Sequence, residues 1–248
     1  MNLQLAGKTA LVTGASKGIG FAIAKCFAAE GATPVLVSRD AAALKKAADA
    51  IHEATGIAAR TVSMDLAAPG SHEALYAQAG AVDYLVNNAG AIPGGDLSAV
   101  DDARWREAWE LKLYGSIGLV RKYLPQMQAR QAGVIVNVIG MAGVANRANY
   151  ICGSTANAAL IAFTNAVGAA SPKHGVRVFG VNPSPTLTER TEKRFASLEE
   201  RKKMEAALPF GRMARAEEVA NLVVFGCSPL AGYLSGTVVN LDGGQLYT

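Results

Sequence analysis

Short apolar runs alternate with helix-length stretches along the whole chain, and that alternation leaves few folds open. The runs are Thr9–Thr13, Thr33–Ser38, Ala59–Ser63, Tyr84–Asn87, Val134–Ile139, Val176–Val181 and Val238–Leu241. Between them lie alanine-rich stretches with helical spacing, among them Ile19–Ala29 and Ala41–Ala54. Strands separated by helices of that length are joined by right-handed crossovers, so they lie parallel in one sheet with helices on both faces. Val134-Ile135-Val136 is apolar without alternation, as a strand covered on both faces requires. Half of the 248 residues are hydrophobic, enough to bury a sizeable core, and no Pro/Gly/Ser-rich linker divides them. The pattern predicts an α/β protein: one doubly wound domain over residues 1–248 with about seven parallel strands. Within it, Glu189–Leu208 is charged, lies between two proline-containing turns, and is read as a helical flap over a site.

Charge and cysteine usage narrow the function classes. Only 18% of the residues are charged and the net charge is +4, with no lysine/arginine block of the kind that tracks nucleic acid. The densest cluster, Glu199-Glu200-Arg201-Lys202-Lys203, mixes both signs and reads as a solvated helix face. Cys26, Cys152 and Cys227 are widely spaced, with no Cys-x-x-Cys pair and no histidine at ligand spacing. They are read as reduced thiols, with neither a disulfide framework nor a metal site. No apolar run reaches membrane-spanning length, and the N-terminus leads directly into the first strand. A cytoplasmic protein with no nucleic-acid or membrane partner is expected.

The turn after the first strand reads Thr13-Gly14-Ala15-Ser16-Lys17-Gly18-Ile19-Gly20. Glycine there lets the backbone approach a pyrophosphate, and the helix that follows presents free N–H groups and a partial positive charge. A purely structural glycine turn is the plainer reading; its place after the first strand of a βαβ series favours phosphate binding. The second strand ends in Ser38-Arg39, where an NAD-preferring site places a carboxylate against the ribose hydroxyls. Ser38 is neutral, Arg39 offers a planar fork to a 2′-phosphate, and Lys17 adds a second cation. Either basic residue alone is ordinary surface charge; their joint placement points to NADP(H).

Further motifs extend the pattern to nearly the full length: Asp65-Leu66 after the third strand, Asn87-Asn88-Ala89-Gly90 after the fourth, then Glu217-Glu218-Val219-Ala220, Ser235-Gly236 and Asp242-Gly243-Gly244. With the glycine turn, these resemble the short-chain dehydrogenase/reductase family. The resemblance implies a single-domain Rossmann fold. It implies that Asp65 and Leu66 flank adenine, and that Asn87, Ala89 and Gly90 line the cofactor groove alongside Gly14, Ser16, Lys17, Gly18, Ile19 and Gly20. It places Thr186 and Thr188 against the nicotinamide carboxamide or the phosphates. It also suggests a homodimer or homotetramer built on the helices that contain Lys112 and Asn157.

Most members of that family use a serine, a tyrosine, a lysine and an asparagine. The tyrosine protonates the developing alkoxide, the lysine lowers the tyrosine pKa and holds the nicotinamide ribose, and the serine orients the substrate oxygen. Counted from the flanking strand and helix, the serine slot falls on Gly140, the tyrosine slot on Gly153 and the lysine slot on Asn157. The asparagine slot falls on Lys112, so lysine and asparagine have traded places. Lys112 either reaches towards Asn157 and the ribose or lies on a helix face, where an oligomer contact is one setting for it. Tyr150, three residues before Gly153, is the nearby candidate acid; it is equally placed to cap the helix start. A second alignment, with three residues deleted before it and three inserted after, puts it in the tyrosine slot with Ser154 four residues on. Ser154 is a weaker donor, since serine near a helix start is more often a cap. Ser184 in Asn182-Pro183-Ser184-Pro185-Thr186 is placed to narrow the pocket floor, and Cys152 reads as a buried filler because no base accompanies it.

The expected activity is hydride exchange between NADP(H) and a small carbonyl/alcohol substrate, with Tyr150, Lys112 and Asn157 as the catalytic set. Two alternatives remain open: a nucleotide-binding sensor or assembly protein without catalysis, and an enzyme whose substrate supplies its own proton.

Overall fold

The computed structural model describes residues 1–193 and 195–247. The first half contains Thr9–Thr13 (β1), Gly18–Ala29 (α1), Thr33–Ser38 (β2), Ala41–Thr55 (α2), Arg60–Ser63 (β3), Ser71–Ala79 (α3), Tyr84–Asn87 (β4), Asp102–Trp109 (α4) and Gly115–Arg130 (α5). The second contains Gly133–Val138 (β5), Ile151–Ala170 (α6), Val176–Pro183 (β6), Thr186–Leu187 (β7), Glu189–Glu192 (α7), Leu198–Ala206 (α8), Ala214–Arg215 (β8), Ala216–Cys227 (α9) and Val238–Leu241 (β9). Seven strands form one sheet in the order β3-β2-β1-β4-β5-β6-β9, with every pairing parallel. This is the doubly wound fold that the alternation predicts.

Successive strand residues point to opposite faces, so the apolar runs feed two cores at once. Val12, Leu36, Val86 and Val136 pack on the face that also buries Phe27 of α1 and Val223 of α9. Leu11, Val35, Leu85 and Ile135 pack on the other, with Leu119 and Tyr123 of α5. Strand order reverses between β1 and β4, which opens a crevice at their carboxyl ends, the usual ligand position in such sheets.

Boundaries shift by small steps. The fifth strand occupies Gly133–Val138 rather than Val134–Ile139, and the third begins at Arg60. The sixth runs on to Pro183 because Asn182 and Pro183 pair with Asn240 and Leu241. The stretch Glu189–Leu208 is two short helices, α7 and α8, each with its own cap. Thr188 accepts from Thr191 N, and Ser197 accepts from Glu200 N. Arg194, between them, lies outside the described residues. The mixed-charge cluster sits on α8, none of whose residues is buried. Among the described residues, no helix is long and apolar enough to cross a membrane.

One contact leaves no room for a side chain. Gly168 of α6 lies on the sheet so closely that an added Cβ would stand 2.2 Å from Val178 O and 2.4 Å from Gly236 N. Ser235 Oγ donates to Gly168 O at 2.7 Å and fixes the same approach. Both neighbours are backbone and cannot rotate away. Gly168→Val is expected to lose about 1–3 kcal/mol, roughly 2–12 °C in Tm for a chain of this size. A calorimetric Tm equal to that of the unaltered protein would show that the helix can lift without cost.

Candidate functional site

The turn from β1 into α1 is shaped by glycines for two separate reasons. Gly14 and Gly18 have φ of 66° and 60°, in the left-handed region that side chains resist. Gly20 has ordinary helical backbone, but a Cβ there would stand 2.3 Å from Gly14 O and 2.5 Å from Asn88 Nδ2. Helix α1 begins after Lys17 with no side-chain cap and no acidic residue in its first turn. Its free N–H groups therefore face the crevice, where they favour an anion.

Above them opens a groove of ≈ 640 Å³. Gly14, Ser16, Lys17, Gly18 and Ile19 line its middle, Ser38 and Arg39 one end, and Leu66, Ala89, Gly90 and Thr188 the remaining walls. Asp40 also borders it, but its Oδ1 is used as the N-cap of α2, accepting from Ala43 N at 3.0 Å. The geometry suits a dinucleotide: a bare helix end for the diphosphate, and a cationic end at Arg39.

Four cofactor residues named from the sequence do not line this groove: Asn87, Gly20, Asp65, and Thr186, which lies in the adjoining cavity. Asn87 is buried, its Nδ2 donating to Asn137 Oδ1 at 2.9 Å, while Asn137 Nδ2 donates to Thr164 Oγ1 at 2.8 Å. It ties β4 to β5 and α6 from behind the wall. The neighbour Asn88 takes the groove position, with Nδ2 donating to Thr13 O at 2.9 Å. Gly20 packs beneath the turn. Asp65 is exposed at the rim and uses Oδ1 to accept from Ala67 N, leaving Met64 and Leu66 to border the groove.

A second cavity of ≈ 460 Å³ adjoins the first, and Ile19, Asn88, Gly90, Thr188 and Arg190 line both. Lys112, Tyr150, Asn157 and Thr186 are all brought to this second space. Lys112 sits in a π-helical turn, Glu110–Tyr114, between α4 and α5. Such a turn swings a side chain off the regular helix face. The stem crosses Gly90 so tightly that a Cβ on Gly90 would stand 2.7 Å from Lys112 Cδ. The ammonium is buried and donates to Ile139 O at 2.9 Å and Val138 O at 3.3 Å. Burial first, and then the nearby Arg190 charge, bring its pKa down to about 8.

Lys112 does not hydrogen-bond Asn157 among the described residues; the two converge on one stretch of backbone. Asn157 Nδ2 donates to Gly140 O at 3.3 Å, next to the carbonyls that Lys112 holds. Its Oδ1 is buried without a hydrogen-bond partner, which marks a place for a donor from a ligand or water. Gly140 has φ of 135°, a conformation closed to side chains without strain.

Tyr150 is the N-cap residue of α6, not part of its first turn. Its ring nevertheless occupies the space over Gly153, where an added Cβ would stand 2.0 Å from Tyr150 Cε1 and 2.2 Å from Cζ. Capping the helix and lining the cavity are thus one placement, not alternatives. Ser154 is committed elsewhere: its Oγ accepts from Arg147 N at 3.1 Å and donates to Arg147 O at 3.4 Å. Cys152 is a fully buried filler whose thiol pKa is raised chiefly by burial. Thr186 Oγ1 donates to Ser184 O, and the Thr188 hydroxyl caps α7, so both line their cavities with hydroxyls already in use.

Sequence reasoning missed Arg190. Its guanidinium donates to Gly90 O at 2.9 Å and Ile92 O at 3.3 Å, pinning α7 to the loop after β4. In sequence it is one charge in a charged stretch, and only a contact across a hundred residues distinguishes it.

The depressed pKa of Lys112 has a pH signature. Below about pH 8 the group is protonated both folded and unfolded, and the cost of burying its charge is felt in full. From there to the ordinary value of 10.5 the folded protein binds fewer protons than the unfolded chain, so this contribution to stability rises with pH. Lys112→Met lacks that rise. Urea-unfolding free energies at pH 7 and pH 10 are expected to favour the variant at the lower pH, relative to its difference at the higher, by on the order of 2–3 kcal/mol. Parallel pH curves for the two proteins would place the charge in water.

Comparison with known proteins agrees with this geometry. The family description "short chain dehydrogenase" matches residues 8–199. A 3-oxoacyl-(acyl-carrier-protein) reductase of Aquifex aeolicus is 34% identical over 252 residues, covering 99% of this chain and 100% of that one. Galactitol 2-dehydrogenase (L-tagatose-forming) of Cereibacter sphaeroides is 36% identical, over 97% of this chain and 96% of that protein. Among solved structures, L-sorbose reductase from Gluconobacter frateurii, complexed with NADPH and L-sorbose, matches with a TM-score of 0.91 at 32% identity and covers 100% of both chains. The chain belongs to the short-chain dehydrogenase family of NAD(P)-binding oxidoreductases.

Proposed function

We propose that this protein is an NADP(H)-dependent reductase or dehydrogenase acting on a small carbonyl/alcohol substrate, through side chains other than the family's usual four. The observation that carries the reading is the pair of joined cavities, with Tyr150, Lys112 and Asn157 lining the second. A glycine cradle, an uncapped α1 and a buried unpaired oxygen on Asn157 fit a dinucleotide whose ribose hydroxyls donate to that oxygen. Arg39 and Lys17 hold the 2′-phosphate and diphosphate, with Ser16 and Ser38 beside them. The bound nicotinamide supplies or accepts the hydride.

The protein's part is binding, positioning and proton transfer. Tyr150 gives a proton to the carbonyl oxygen in the reducing direction and takes it back in the other. The Lys112 ammonium, fixed by two carbonyls, sets a positive potential over the cavity that favours the developing oxyanion. Asn157 positions the ribose. Gly140 and Gly153 stand where the usual serine and tyrosine would, and the Tyr150 ring fills the room that Gly153 leaves. A cavity ordered this closely around one phenol favours catalysis over a sensor that merely retains nucleotide. A homodimer or homotetramer on the faces of α5 and α6 belongs to the same reading, as does a role for α7 and α8 as the flap.

Two measurements test it. Arg39→Asp is expected to weaken NADPH binding roughly tenfold or more while sparing NADH, since it replaces a phosphate fork by a like charge; equal affinities for the two cofactors in the unaltered protein would sink the preference. With NADPH and a panel of carbonyls, Tyr150→Phe is expected to lower kcat about a hundredfold or more with unchanged NADPH affinity. Unchanged turnover in Tyr150→Phe would remove that residue from the chemistry.

A further inference from the structure

The cofactor groove and the substrate cavity differ in charge. Asp40 and Glu189 border the groove together with Lys17, Arg39 and Arg190. The substrate cavity is lined by Lys112, Arg147 and Arg190, and by no carboxylate among the described residues. Arg190 faces both spaces and spends donors on two backbone carbonyls, and Lys112 is buried against two more. Arg147 differs from both. It lines the substrate cavity alone, and its guanidinium makes no hydrogen bond or ion pair among the described residues.

The backbone beneath that side chain is held with care. Ser154, 2% exposed, commits its hydroxyl to Arg147 N and O, and Tyr150 N donates to Arg147 O at 3.1 Å. The residue that presents the free guanidinium is thus locked to the start of α6 and to the proposed proton donor. A buried hydroxyl used in this way fixes the position of whatever the arginine holds relative to Tyr150. Apolar walls complete the cavity at Ile92, Ile139 and Met141.

We propose that the substrate is an anionic carbonyl compound, an oxo acid or a phosphate-bearing ketone, whose anion is taken by Arg147 at the cavity wall. This rests on the oxidoreductase reading above and names its substrate class. A guanidinium binds either anion through paired N–H donors, and a charge-assisted contact of that kind distinguishes an acid from its neutral ester by roughly ten- to a hundredfold. The carbonyl end then lies towards Tyr150, because the anion anchor and the proton donor are joined through three residues of backbone.

The test compares matched pairs on the full-length protein with NADPH: pyruvate, acetoacetate and 4-oxopentanoate against their methyl esters, and dihydroxyacetone phosphate against dihydroxyacetone. At least one anion is expected to exceed its neutral partner by tenfold or more in kcat/KM, mainly through KM, with the preference weakening as salt is added. The favoured pair says whether the anion is carboxylate or phosphate. Arg147→Gln is expected to bring the ratio close to one, Arg147→Lys to restore part of it, and Lys46→Gln, an equal change of charge at an exposed site on α2, to leave it unaltered. Equal rates for anions and neutral partners, or a preference that survives Arg147→Gln, would overturn the proposal while leaving the oxidoreductase reading in place. Should no carbonyl oxidise NADPH, that reading fails instead. The anion site is then judged by the thermal shift of NADP-loaded protein, which must rise with the acids, not the esters, and lose that rise in Arg147→Gln.

Discussion

The seating of Asn88 on the turn between β1 and α1 holds open the crevice that both cavities share. Its backbone N–H donates to Thr13 Oγ1, and its amide donates to Thr13 O and Gly14 O. Strands β1 and β4 are thereby joined at the point where the sheet changes direction. Gly20 has to be bare because the same amide and the Gly14 carbonyl fill its side-chain space. The first N–H groups of α1 have no intrahelical partner and no side-chain cap, and they stay available to an anion.

The second cavity is organised by a different rule, in which a missing side chain is answered by a neighbour. Gly90 is crossed by the stem of Lys112, and Gly153 is covered by the ring of Tyr150. Lys112 and Asn157 approach from separate helices and grip adjacent carbonyls between Val138 and Gly140. They meet on the backbone at and just beyond the end of β5, with no hydrogen bond between them among the described residues. A buried ammonium satisfied by carbonyl dipoles keeps its charge at neutral pH without a counter-ion, at the cost of a lowered pKa.

Much of this was legible in the chain because it is local. Strand and helix positions follow from periodicity, and the glycine turn with Arg39 at the end of β2 follows from spacing along the chain. What could not be read depends on side-chain direction or on distant contacts. Asn87 and Asn88 are adjacent, yet one turns into the wall and the other into the groove, and strand alternation alone does not say which. Arg190 gains meaning only from the carbonyls of Gly90 and Ile92. Ser154 looks like a helix cap or a weak donor, and its true partner, the backbone of Arg147, lies in a loop with no periodicity. The π-helical turn that aims Lys112 likewise depends on distant contacts, with Leu113 packed against Leu160 of α6 and Ile139.

Gly140 and Gly153 impose an order on how this site can change. At Gly140 the backbone, with φ of 135°, must be rebuilt before any side chain is tolerated there, and at Gly153 the Tyr150 ring must vacate first. A single substitution at either position lands in strain or collision rather than in an intermediate design. A side chain at either position therefore needs a second movement nearby, of the backbone itself at Gly140 and of the tyrosine ring at Gly153.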